Sequence, residues 1–231
     1  MDYQLITTTD EQNFAQTAAT LLRDGIVSAI EQRGQCILGL SGGKTPHSIY
    51  TALGQMDGIE WGRVWLYLVD ERYVPADHAD SNQQLIRSTI YRYVELGNTE
   101  QFVSPDTTLP IEECVLKFEQ DLANLFERGK TDVLALGIGD DGHICSLFPP
   151  VPTHALDGSK LALHTTTDRF AVRDRITITI PPMKDARQQC FFFTGEKKMQ
   201  AWKEMEASDE GPERWPMKAV MALGETTVVM L

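Results

Sequence analysis

Apolar and polar positions alternate in blocks along this chain, and the spacing within a block changes from one block to the next. Residues 11–33 place Phe14, Ala18, Leu21, Leu22 and Ile26 near one face at helical spacing, which predicts an amphipathic helix with Asp10 as its N-cap. Short apolar runs predict buried strands at 36–40, 64–69, 133–136, 176–180, 190–193 and 227–231. Between them, helices are predicted from Pro46 toward Leu53, from Ser81 or Asn82 to about Val94, over 111–127 and over 196–206. This alternation predicts an α/β fold, a mostly parallel sheet with helices on both faces. The chain shows no internal repeat or low-complexity linker, and the Pro- and Gly-containing stretch 208–216 reads as an irregular loop. A single domain over residues 1–231 is the expectation.

At 231 residues the chain is long enough to bury a sizeable core. Its formal net charge of -12 argues against non-specific nucleic-acid binding, which needs a basic surface. It leaves room for an anionic small molecule, because a local cluster of Lys, Arg and backbone N–H groups holds a phosphate on an otherwise acidic surface. No apolar run approaches a membrane span, and Met1-Asp2-Tyr3-Gln4 lacks the pattern of a signal peptide. Cys36, Cys114, Cys145 and Cys190 are widely spaced with no CxxC pair, as expected for reduced thiols of a cytoplasmic protein.

The chemistry concentrates where predicted strands end. Gly137-Ile138-Gly139-Asp140-Asp141-Gly142-His143 follows the 133–136 run, and in open α/β sheets ligands bind at that end of the strands. Histidine changes charge nearest neutrality, so His143 suits acid–base work there. The formal G-x-G-x-x-G match fails as a dinucleotide fingerprint, because Pro149-Pro150 interrupts the helix it requires and the aspartates would face a pyrophosphate. Gly39-Leu40-Ser41-Gly42-Gly43 matches the nucleophile elbow, although only one predicted strand precedes it. Gly43-Lys44-Thr45 ends like a Walker A loop whose first glycine would fall at Leu38, so that match also fails. What survives is a turn of Ser41, Gly42, Gly43, Lys44 and Thr45 running into a helix N-terminus, either an anion site or a plain capped turn. Asp70-Glu71-Arg72, Arg175 and Lys198 are bland singly, but together they put charges at strand ends of one predicted parallel sheet. His143, His154, His164 and Cys145 fit no compact zinc spacing, and no metal is expected.

In this order, the loops resemble those of 6-phosphogluconolactonases, within the sugar-phosphate isomerase/deaminase-like, Rossmann-related superfamily. The resemblance rests on Leu40-Ser41-Gly42-Gly43-Lys44-Thr45-Pro46, on Asp70-Glu71-Arg72-Tyr73-Val74-Pro75 followed by Asp80-Ser81-Asn82, on 137–149, on Arg175-Ile176-Thr177-Ile178-Thr179 and on Thr194-Gly195-x-x-Lys198. The chain departs from the commoner family pattern at Lys44, Ile144, Cys145, Pro150, Met183-Lys184 and Met217-Lys218, which bears on the pocket rim.

The resemblance implies hydrolysis of 6-phospho-D-glucono-1,5-lactone in the oxidative pentose phosphate pathway, with neither metal nor cofactor. It implies His143 as general base. Asp141 or Asp70 would orient the imidazole or hold sugar hydroxyls. The phosphate would lie on Ser41, Gly42, Gly43, Lys44 and Thr45, with Arg72, Arg175 and Lys198 as charge partners. A monomer or small homo-oligomer in the cytoplasm, acting on a small sugar-phosphate lactone, is expected. Glucosamine-6-phosphate deaminases share Gly-Ile-Gly-x-Asp-Gly-His-Ile but continue Ala-Phe-Asn-Glu-Pro. Here Ser146-Leu147-Phe148 occupies that stretch without the glutamate. Non-catalytic sugar-phosphate sensors of transcription regulators form a third class. They carry a helix-turn-helix segment, whereas the residues before Cys36 leave room for one helix only.

Overall fold

The computed structural model describes residues 2–95 and 99–231. Among them run ten strands: β1 (Gln4–Thr7), β2 (Cys36–Leu40), β3 (Val64–Leu68), β4 (Asp70–Arg72), β5 (Phe102–Val103), β6 (Val133–Leu136), β7 (Ala162–Thr166), β8 (Asp174–Ile178), β9 (Gln188–Phe193) and β10 (Glu225–Met230). The helices are α1 (Glu11–Arg33), α2 (Pro46–Gly54), α3 (Asn82–Ser88), α4 (Ile111–Phe126), α5 (Ile180–Lys184), α6 (Glu196–Ala207) and α7 (Met217–Val220). Seven strands form one wholly parallel sheet in the order β1-β10-β9-β6-β2-β3-β5.

Both faces of this sheet are covered, which explains why its central strands are continuously apolar rather than alternating. Along β2, Cys36, Leu38 and Leu40 pack toward Phe14, Leu22 and Ile26 of α1 and Ile49 and Tyr50 of α2. Ile37 points the other way and joins Leu134 and Leu136 of β6 against Phe118 and Leu122 of α4 and Trp202 of α6. Each such fully buried side chain contributes about 1.5–3 kcal/mol over its exposed state. Helix α1 starts as predicted, with the Asp10 carboxylate accepting the Asn13 N–H at 2.8 Å. Among the described residues, no helix is long and apolar enough to cross a membrane.

The structure departs from the sequence reading in two places that shape the site. The helix predicted to reach Val94 stops at Ser88, followed by a 3-10 turn at Ile90–Arg92. Buried Thr89 turns its hydroxyl onto the Leu85 carbonyl at 2.6 Å and takes φ −115, ψ −84, a local side-chain bond that competes with the helix. The strand predicted at 176–180 runs from Asp174 to Ile178 and lies outside the parallel sheet. It is the middle strand of a second, antiparallel sheet, β4-β8-β7. Asp70, Arg72 and Arg175 therefore ride on this small sheet, not on strand ends of the large one. The chain crosses over at Val69, whose N–H still bonds Leu40 of the parallel sheet while its carbonyl accepts Ile178.

Strands β2 and β6 are neighbours, but the chain leaves them in opposite directions. After β2 it moves to β3 on one side; after β6 it moves to β9 and β10 on the other. Such a switch point opens a crevice at the carboxyl ends of the strands, the general location of ligand sites in open α/β sheets.

Candidate active site

A cavity of about 600 Å³ occupies that crevice. At one end stands His143, on a turn closed by the Gly142 N–H bonding the Gly139 carbonyl (3.0 Å) and the Gly139 N–H bonding the His143 carbonyl (2.8 Å). The imidazole lies directly on the turn. A Cβ on Gly139 would sit 2.1 Å from Nδ1, so only glycine permits this placement.

The Asp141 Oδ1 accepts both the His143 backbone N–H, at 3.1 Å, and Nδ1, at 2.5 Å. Burial pushes the Asp141 carboxyl up, but the hydrogen bonds and charge of His143, helped by Arg169, outweigh it and hold the group at about 2. An ionised carboxylate only accepts, so Nδ1 carries the hydrogen and a neutral imidazole keeps its lone pair on Nε2. His143 lines the cavity while Asp141 stands behind it. Phe148 and Phe170 flank the ring, with centroids 4.8 and 5.9 Å away.

Asp70, the other candidate partner of the imidazole, lines the cavity but is engaged elsewhere. It accepts the Ser146 hydroxyl at 2.7 Å and the Asn82 amide at 3.3 Å, and among the described residues it makes no bond to His143. The segment from β4 to the start of α3 is fastened by Glu71, which is fully buried. Glu71 Oε1 accepts the backbone N–H groups of Arg72 and Asn82, both at 2.7 Å. Its Oε2 accepts the Ser81 hydroxyl at 3.0 Å and the Gln83 N–H at 2.8 Å. Burial pushes the Glu71 carboxyl up against the downward pull of these four donors. Asn82, so anchored, packs on the first loop: a Cβ on Gly42 would come within 1.8 Å of its Oδ1.

Three cations line the same cavity. Arg72 and Arg175 face each other across the β4–β8 ladder. Arg72 donates to the Asp80 carbonyl (2.6 Å) and Arg175 to the Val172 carbonyl (3.1 Å); among the described residues neither forms an ion pair. Burial, and then the neighbouring Arg72, hold the Arg175 guanidinium below its ordinary range. Lys198, half-buried in the first turn of α6, is lowered by burial, with Asp140 opposing. These three cations line the cavity with Ser41, Gly42 and Gly43. Lys44 and Thr45 do not line it: Lys44 is exposed, and Thr45 already has helical dihedrals (φ −58, ψ −43) and makes no side-chain cap bond.

Other lining residues escaped the sequence reading as site members. Ser146 and Phe148 lie inside the third motif and were legible there by position. Phe170, and Arg169 behind the cavity, sit in the loop between β7 and β8, which carries no motif. Cys145 also lines the cavity, and burial pushes its thiol well above the ordinary range, which disfavours the thiolate. Among the described residues, no three His, Cys, Asp or Glu side chains gather as a metal site would require.

A family model described as glucosamine-6-phosphate isomerases/6-phosphogluconolactonase matches residues 9–229. The chain belongs to this family. It is 37% identical over 223 residues to a Dictyostelium discoideum protein named "Probable 6-phosphogluconolactonase", covering 96% of this chain and 94% of that one. It is 33% identical to the 6-phosphogluconolactonase of Synechocystis, over 94% and 90% of the two chains. Among solved structures, a 6-phosphogluconolactonase from Plasmodium vivax superposes with a TM-score of 0.88 at 26% identity, covering 98% of this chain and 89% of the other. One from Shewanella baltica gives 0.85 at 27% identity, over 99% and 97%.

Proposed function

We propose that this chain hydrolyses 6-phospho-D-glucono-1,5-lactone to 6-phospho-D-gluconate, with His143 as the general base. The observation that carries the reading is the Nδ1–Asp141 bond, which leaves the Nε2 lone pair free in a cavity that two arginines without ion-pair partners also line.

The substrate's phosphate fits the cationic end, where Arg72 and Arg175 supply forked donors and Lys198 a point charge. The backbone N–H groups of Gly42 and Gly43 add donors, the Ser41 N–H being held by the Ala135 carbonyl. With the phosphate held there, the lactone carbonyl lies toward His143. Nε2 takes a proton from water as the water oxygen bonds the carbonyl carbon. The tetrahedral adduct then collapses, the bond to the ring oxygen breaks, and Nε2 returns the proton to that oxygen. Asp141 stabilises the imidazolium between the two transfers. Asp70, aimed by Ser146, is placed for the sugar hydroxyls. A six-membered lactone is an activated ester, so this route uses neither a covalent nucleophile nor a metal.

Deamination is the weaker reading. Ring opening there calls for an acid where this chain has Ser146-Leu147-Phe148. Leu147 is buried in the core, and Phe148 packs on the imidazole. The same proposal makes the protein a cytoplasmic, single-domain monomer or small homo-oligomer. The test is an assay of lactone loss over its spontaneous background, beside one for glucosamine-6-phosphate deamination. Catalysed lactone loss with no deamination is expected; the reverse would transfer the chain to the other branch of its family.

A further inference from the structure

We infer that Arg169 is a positioning residue that sets the Asp141 carboxylate against His143, an inference resting on the lactonase reading above. Asp141 has two carboxylate oxygens, and His143 occupies only Oδ1. The other, Oδ2, lies 3.3 Å from Nη1 of Arg169, while Nη2 of the same guanidinium holds Asp140 Oδ1 at 2.9 Å. One planar fork thus spans two adjacent carboxylates that would otherwise repel each other at the tip of the turn.

The rest of Asp141 is fixed independently. Its peptide carbonyl accepts Nη1 of Arg214 at 2.9 Å, and Arg214 itself stacks on Trp215 with 3.6 Å from guanidinium to ring centroid. Arg214 therefore holds the backbone and Arg169 turns the carboxylate. The loop is also braced where Arg169 leaves it: the Arg169 N–H bonds the Thr167 hydroxyl at 3.2 Å, and the Thr167 N–H bonds the Arg173 carbonyl at 3.1 Å. The next residue, Phe170, packs against His143 and lies under Arg175, so one short loop touches both the imidazole and a cavity arginine. Arg169 is half exposed, and pairs of that kind add little to stability. Its effect is expected in turnover rather than in folding.

The experiment is a double-mutant cycle of Arg169→Gln and Asp141→Asn, with Arg169→Lys as the conservative control. Arg169→Gln is expected to lower kcat about 3–10-fold and leave KM within about twofold, as coupling between contacting groups does. Lysine, a point charge without the fork, should restore part of that loss. In the Asp141→Asn background, Arg169→Gln should cost nothing further. Unchanged kcat in Arg169→Gln, or the same loss persisting on top of Asp141→Asn, would overturn the inference. A second readout does not depend on activity. The proton between Nδ1 and Asp141 is expected as a downfield proton NMR resonance that sharpens with the wild-type arginine and broadens by solvent exchange in Arg169→Gln. An identical resonance in both proteins refutes the positioning role. Normal turnover in His143→Ala would instead remove the base assignment, and the NMR comparison would still judge Arg169.

Discussion

The two charged groups that line the cavity, one around His143 and one around Arg72 and Arg175, are built on opposite principles. At the His143 end every charge has a partner: Asp141 faces His143 and Arg169, and Asp140 faces Arg169. At the arginines, two guanidiniums stand side by side on an antiparallel ladder, bonded only to carbonyls. A satisfied pair holds a fixed tautomer and a defined lone pair, which is what proton transfer needs. An unsatisfied pair of like charges raises the energy of the empty site and lowers it when a dianion enters, which is what anchoring needs. Under the proposed mechanism turnover would belong to the His143 group and affinity to the arginines, and substitutions in the two groups should separate kcat from KM.

The largest expected effect lies at the satisfied end. His143→Ala should lower kcat about 10²–10⁴-fold, the span for losing a general base, with KM changed much less. Initial rates of lactone loss, corrected for spontaneous hydrolysis, measure it, and near-normal turnover would take the proton transfer away from this residue. At the unsatisfied end, Arg175→Ala should raise KM about 10–100-fold, the loss of a charged hydrogen-bonding group worth ~1.5–3 kcal/mol, and leave kcat within about threefold. A fall in kcat alone would erase the division between the ends.

How legible each end is in the sequence follows from how far apart its parts lie in the chain. The His143 end comes from one contiguous stretch after a fully buried strand, so Gly139, Asp141 and His143 read together from Gly137 to Pro149. Strands β2 and β6 were legible for the same reason, since burial on both faces makes every position apolar. The cationic end was legible only as separate residues. Strand β7 (Ala162–Thr166) carries His164, Thr165 and Thr166 and shows no apolar run, so nothing local announces the antiparallel sheet that joins Arg72 to Arg175. The choice between Asp70 and Asp141 depended on Ser146 and Asn82, and the length of α3 on one hydroxyl at Thr89. Both are tertiary or side-chain facts that periodicity does not encode. Lys44 illustrates the converse: a residue inside a matching motif, yet turned to solvent.

Glu71 tests whether the cationic end depends on its buried fastening. Glu71→Gln would set an amide NH₂ against donors that now all point at a carboxylate, at a cost of about 1–3 kcal/mol. For a chain of this size each kcal/mol lowers Tm by about 2–4 °C, so thermal unfolding at neutral pH reads it directly. An unshifted Tm would mean that the loop holds its shape without the carboxylate. The satisfied end has its own stability signature. Asp141 is held at about 2 in the fold, below the ordinary carboxylate range of the unfolded chain. Its contribution is therefore present above about pH 4 and is lost as pH falls from there toward 2, with a ceiling of about 2 kcal/mol. Denaturant melts of wild type and Asp141→Asn should differ most near pH 5 and converge near pH 2. A constant gap across that window would show that the carboxylate is not charged by its partners as described.

The smallest expected effect is the most discriminating. Ser41 sits at the anion end, lines the cavity, and matches the nucleophile elbow. Among the described residues its hydroxyl bonds no histidine; the backbone holds the residue, its N–H bonding the Ala135 carbonyl at 3.1 Å and its carbonyl accepting the Tyr50 hydroxyl at 2.8 Å. Ser41→Ala keeps both backbone contacts and removes one neutral hydroxyl from the proposed phosphate cradle. KM should rise about two- to fivefold, in line with one modest hydrogen bond, and kcat should hold within about twofold. A serine nucleophile needs a base within hydrogen-bond reach of its oxygen, and among the described residues no hydrogen bond joins the Ser41 hydroxyl to the free Nε2 of His143. Abolished turnover in Ser41→Ala, together with fluorophosphonate labelling of the wild type, would invert the two ends: chemistry would belong to the turn assigned to binding, and the comparison between a satisfied proton-transfer end and an open anion end would have to be redrawn around a covalent intermediate.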